Sequence, residues 1–120
     1  MNGNDQPRAM AMLNNDDFVF LMEDPDNGNH IAYGKWRWSI TDFPWRRRIT
    51  QFTSFSKSQI VYNPDADILH TMISINSRAR LYDINATIGT TIHTFTPSIE
   101  CATITSSYLY NQTSVFFSIK

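Results

Sequence analysis

The sequence predicts an all-β fold: one antiparallel sandwich or barrel, jelly-roll or Greek-key in type, behind a flexible polar N-terminal arm. Three observations predict it. About eight short segments are rich in Ile, Thr, Phe and Tyr, turn residues separate them at close spacing, and no long stretch has helical periodicity. Charged residues are only 18% of the chain, and Ser, Thr and Asn take their place, which suits strands and turns better than solvated helices. At 120 residues and 42% hydrophobic, the chain can bury one modest core, and wholesale disorder is excluded.

Each element has its own warrant. Residues 1–16, with Gly3, Pro7 and several Asn and Asp, read as a flexible acidic arm in which residues 9–13 could form a helical turn, and residues 17–120 as the β domain. Residues 18–23 and 31–40 flank Asp24-Pro25-Asp26-Asn27-Gly28-Asn29, a hairpin turning near Asn27-Gly28. Asp42, Pro44 and the arginine run then read as a connection. Residues 49–55 and 59–62 are further strands, the second ended by Asn63-Pro64-Asp65. Residues 68–77 and 79–84 are continuous enough in pattern to form one bent strand. Residues 88–96, 99–110 and 115–119 complete the set, with breaks at Gly89, Pro97 and Asn111.

The formal net charge of −1 conceals a sorted distribution. Residues 1–34 hold one basic residue, Arg8, against six acidic ones, a net of about −5. Residues 35–80 hold eight basic residues against three acidic ones, about +5, and the remainder carries about −1. Such sorting makes a local field. It predicts a surface for an anionic partner, an acid-on-base contact between copies, or both.

The strongest candidate site is Lys35-Trp36-Arg37-Trp38 followed by Trp45-Arg46-Arg47-Arg48. Cations neutralise phosphates and release counterions, while indole rings stack on unpaired bases, so the combination suits single-stranded RNA or other nucleic acid. It also suits an anionic membrane surface. The plainer alternative places Trp36 and Trp38 in the core and the arginines in a solvated loop. Alternation sets Lys35 and Arg37 on the face opposite Trp36 and Trp38. The same rule, run through residues 73–82, puts Arg78, Arg80 and Tyr82 on a wet face opposite Ile73, Ile75, Ala79 and Leu81, where the two arginines would extend the patch.

Other constellations are weaker. Residues 23–28 fail the EF-hand pattern, since Pro25 takes a ligand position and no Glu closes the loop. Asp65, Asp67 and His70 lie near one another, but an Asn-Pro-Asp turn entry accounts for them, and no metal or cofactor is expected. His70 and His93, with Lys57, could form an acid–base pair for an RNA-cleaving enzyme; no nucleophile elbow, phosphate loop or dinucleotide fingerprint accompanies them. Asn85 and Asn111 fit the glycosylation pattern. Cys101 stands alone, so no internal disulfide forms, and it reads as a small buried hydrophobe. No signal peptide or membrane-spanning stretch is visible, which favours an intracellular or virion location.

In general character (small, all-β, rich in Thr, Ser, Asn and Ile, with an arm and an arginine patch) the chain is similar to small viral coat or matrix proteins. That likeness implies a non-enzymatic, self-associating protein. Coat-protein arms that bind RNA are basic whereas this arm is acidic, which directs it to a neighbour's basic surface instead. A sugar- or protein-recognition β module is the competing expectation.

Overall fold

The computed structural model describes residues 6–14, 16–25, 30–37, 42–51, 58–100, 104–110 and 114–120. These contain ten strands and no helix: β1 (Gln6–Met12), β2 (Asp17–Asp24), β3 (His30–Arg37), β4 (Asp42–Gln51), β5 (Gln59–Asn63), β6 (Ile68–Ile75), β7 (Arg78–Asn85), β8 (Thr91–Phe95), β9 (Ile104–Tyr110) and β10 (Ser114–Ile119). Two four-stranded antiparallel sheets, β1-β2-β3-β4 and β5-β6-β7-β8, pack face to face, and β9 and β10 form a separate two-stranded ribbon. All three sheets are open. The molecule is thus a sandwich and not a closed barrel. Within each sheet the strands follow chain order, so both are plain meanders, simpler than the jelly-roll connectivity the sequence suggested.

The core lies between the two larger sheets. Val19, Leu21, Tyr33 and Trp45 from the first meet Leu69, Ile73, Tyr82 and Ile84 from the second. Alternate residues of each strand supply them, as the pleat requires. The β9–β10 ribbon runs along β5 and closes a second, smaller cluster, in which Ile104 and Phe117 pack on Ala79 and Met72. Those last two side chains lie on the outer face of the second sheet. Tyr33 is fully buried, and the Thr71 hydroxyl of the second sheet donates to Gln59 O at 2.6 Å.

Three elements depart from the sequence reading. Residues 6–12 are neither arm nor helical turn but an edge strand paired with β2. Ala9 and Ala11, opposite Leu21 and Val19, face the core, while Met10 and Met12 point outward. The apolar alternation is therefore a strand's, and the β2 backbone supplies hydrogen bonds that a short isolated helix would lack. Residues 42–51, expected as a connection into residues 49–55, form the long edge strand β4. Pro44 is tolerated there because an edge strand has one side without a ladder. Of the expected strand extension, residues 52–55 lie outside the described residues.

The third departure moves side chains. Residues 68–85 are two strands joined at Asn76-Ser77, both with positive φ (52° and 62°), the signature of a tight two-residue hairpin turn. Ile75 pairs with Arg78, and Ile73 with Arg80. Directly paired residues share a face, so Arg78, Arg80 and Tyr82 lie on the same side as Ile73 and Ile75. The alternation drawn as if through one bent strand inverts there. Tyr82 is consequently core, at 4% exposure, and no wet face carries it.

The β7–β8 turn fastens the two sheets together. Asn85 Oδ1 accepts the Thr87 and Ile88 amides at 2.9 and 3.2 Å, and Gly89 N donates to Asn85 O at 2.8 Å. The carbonyl of Ala86 then receives Trp45 Nε1 at 3.1 Å and Lys35 Nζ at 3.3 Å from the opposite sheet. Gly89, at φ +82°, lies against the indole so closely that a Cβ there would meet Trp45 at 2.5 Å. Glycine is required twice over, by the left-handed backbone and by the contact. We expect Gly89→Ala to lower stability by about 2–4 kcal/mol, combining left-handed strain with overpacking. A urea midpoint indistinguishable from wild type would refute the fastening role.

Candidate functional site

The basic and aromatic residues singled out from the sequence come mainly from β3 and β4, and a strand sends successive side chains to opposite faces. Lys35 and Trp45 pair directly and face the core side of the first sheet. The arginine run divides. Arg46 and Arg48 pair with Gly34 and Ala32, two residues with almost no side chain, and extend over them across β3. On β2 they reach Asp24, wholly buried, with Arg46 Nη2 3.0 Å and Arg48 Nε 2.8 Å from the same carboxylate oxygen. Arg47 turns to the other face and donates to its neighbour Arg46 O and to Ile88 O, both at 3.1 Å.

A second ionic node occupies the far end of β2. Arg37 Nε donates to Asp17 Oδ1 at 2.9 Å, Lys35 Nζ is 3.8 Å from Asp17 Oδ2, and Asp16 stands 4.0 Å from Arg37. The Arg37 hydrogen bond holds the Asp17 carboxyl below the usual value of 3.8; burial works against it, while Asn14 and Lys35 reinforce it. Asp17 and Asp24 are seven residues apart on one strand and so face opposite ways. Each gathers cations from β3 or β4 on its own side of the sheet. At the edge strand, Arg8 pairs with Glu23.

The predicted patch is therefore not one presented surface. Trp45 is core, and Trp36 is half-buried in an aromatic cluster with Phe18 and Phe20, at ring separations of 5.8 and 6.1 Å. Lys35 and Trp36 lie on opposite faces, as the alternation requires, and the face that carries Lys35 is the core side. Trp38 lies outside the described residues. Arg78 and Arg80 belong to the second sheet, on its core-facing side. Arg78 is exposed and 3.9 Å from Glu100, and Arg80 is half-buried with no ion pair among the described residues. Acid-on-base contacts are made within the chain.

The remaining candidates are likewise tied into the fold. Asp67, in the β5–β6 turn at φ 54°, accepts Tyr62 Oη at 2.7 Å and the Thr87 hydroxyl. Burial, with that carboxylate contact, pushes the Tyr62 phenol up to about 12. His70 bonds Asp83 at 2.7 Å, and no group of three metal-binding side chains occurs among the described residues. His93 pairs with Asp83 from the other side, so the two imidazoles share a face with one carboxylate between them. Lys57, Cys101 and Asn111 lie outside the described residues.

What the sequence reading missed is apolar. β8 is exposed along its whole length, including Ile92 and Phe95, the latter at 61%. On the ribbon, Tyr108 and Phe116 pair across β9 and β10 with stacked rings 5.2 Å apart, at 58% and 48% exposure. One signal was available: residues 84–99 and 101–119 contain no Asp, Glu, Lys or Arg. Exposed uncharged strands of this kind mark contact surfaces. No helix among the described residues is long and apolar enough to cross a membrane. No protein-family model, curated protein or solved structure matches the chain.

Two outcomes follow from the ionic nodes. Replacing both Arg46 and Arg48 with Ala leaves Asp24 buried without its two cations and should cost about 3–5 kcal/mol, whereas Arg47→Ala should cost under about 1 kcal/mol. Equal urea midpoints for these variants would contradict the assignment. Asp17, with its lowered folded pKa, contributes stability that is present above the ordinary carboxylate value and is lost as pH falls through the folded one. Asp17→Asn should therefore be less stable than wild type at neutral pH, with the gap closing below about pH 4. A gap that persists at pH 2 would assign the loss to packing instead.

Proposed function

We propose that this chain is a non-enzymatic, self-associating β domain of structural or assembly type. The observation that supports it best is the contrast between the charged sheet β1–β4 and the uncharged strands β8, β9 and β10. The charges of β1 to β4 are largely engaged in ion pairs inside their own sheet, while β8, β9 and β10 present Ile92, Phe95, Tyr108 and Phe116 to solvent with no charged residue among them. A monomer gains nothing from such a surface, and an assembly buries it. The general likeness to small viral coat or matrix proteins points the same way, as a likeness of character alone.

An anionic partner, nucleic acid before membrane, belongs to this reading as a second component. With Arg37, Arg46 and Arg48 held by carboxylates, it depends on Arg47, Arg78 and Arg80.

Light scattering should report a mass above that of one chain at high concentration. The mass should be retained in molar salt, because an apolar contact is not screened whereas a charge contact between copies is. Binding to a single-stranded oligonucleotide should weaken as salt rises and disappear in the Arg47→Ala, Arg78→Ala, Arg80→Ala triple variant, with self-association unchanged. A monomer under all conditions would end the assembly reading; salt-insensitive or unaltered oligonucleotide binding would end the polyanion component.

A further inference from the structure

We infer that the edge of β10 is the self-association site, and that it is occupied by β10 of a second copy, antiparallel across a twofold axis at Phe116. This rests on the self-associating reading and names its contact.

The sheet edges differ in how they are guarded. β4 carries Pro44 and the three consecutive arginines 46–48. β8 is broken by a register shift beside Ile84 and is followed closely by Pro97. Along β1, Pro7 and a register shift at Arg8 interrupt the ladder, and β5 lies between β1 and β9. Proline, charge and bulges are the devices that stop one strand edge from pairing with another. β10, with the sequence Ser114-Val115-Phe116-Phe117-Ser118-Ile119, has no charge, no Pro and no Gly, and its one irregularity lies at its end, between Ser118 and Ile119. Among the described residues its only sheet neighbour is β9, and no second ladder runs along its outer edge there. An extended chain is the partner that satisfies such an edge.

The strand's own sequence selects a second copy. Around Phe116 it reads nearly the same in both directions. Antiparallel pairing there places Phe116 opposite Phe116, Val115 opposite Phe117, and Ser114 opposite Ser118. Aromatic with aromatic, aromatic with β-branched, and hydroxyl with hydroxyl are the cross-strand pairs that stabilise sheets. A twofold contact also needs no second complementary surface. On the exposed face the stacked Tyr108–Phe116 pair would continue into its symmetry mate, giving a row of four rings across β9-β10-β10-β9.

The register makes a charge test possible at Ser114 and Ser118, both exposed in the single chain. The double variant Ser114→Lys, Ser118→Lys sets like charges opposite each other twice and should weaken association at least about tenfold. The variant Ser114→Lys, Ser118→Glu sets opposite charges across the same two pairs and should associate at least as tightly as wild type. Because both variants alter the same two exposed positions, each controls for folding in the other. If both associate like wild type, β10 is not the contact, although self-association stands; if both dissociate equally, the Phe116-centred register is wrong. A wild-type chain that stays monomeric overturns this contact and the assembly reading together.

Discussion

The first sheet is organised around one buried carboxylate. Asp24 has no exposure, and a lone anion in that position would carry a desolvation cost of several kcal/mol. Two guanidinium groups offset it, and they come from β4, which is not the adjacent strand. The contact therefore needs β3 between them, with Gly34 and Ala32 low enough for two long side chains to lie across. Strand order, register and the small residues of β3 follow from that one requirement. Asp17 repeats the arrangement on the opposite face with Arg37 and Lys35.

This pairing explains where the field suggested by the linear charge distribution goes. The acidic and the basic segments are consecutive in sequence, and a meander sets consecutive strands side by side. Opposite charges that lie many residues apart thus come within hydrogen-bonding distance inside one sheet. The field is largely internal, and it holds the sheet together. The β7–β8 turn then joins this sheet to the second: the carbonyls of Ala86 and Ile88 receive Trp45, Lys35 and Arg47, and Gly89 lets the indole approach.

The second half of the molecule follows a different rule. Its strands are held mainly by apolar packing and turn hydrogen bonds, with one cross-strand His70–Asp83 contact, and its outer surface keeps Phe95, Tyr108 and Phe116 in water. Domains seldom retain such exposure without use. The contact surface we propose accordingly lies on the uncharged strands near the end of the chain and not on β3 and β4, where charge attracts attention in the sequence. A strand edge asks little of sequence, only extended backbone and an absence of obstacles, which makes it easy to overlook beside a run of arginines.

Composition and local pattern by themselves determined that this chain is all-β, that a hairpin joins residues 18–23 to the strand beginning near residue 31, and roughly where most later strands lie. Those features depend on β propensity and turn chemistry, which act over a few residues. Tertiary structure decided which face of each strand is buried, because a pleat reports alternation but not which side meets the other sheet. It decided the fate of Arg46 and Arg48, since Asp24 is distant in sequence. It also placed Tyr82 in the core, because a two-residue turn at Asn76-Ser77, lacking the usual glycine, reverses the alternation on which a face assignment rests.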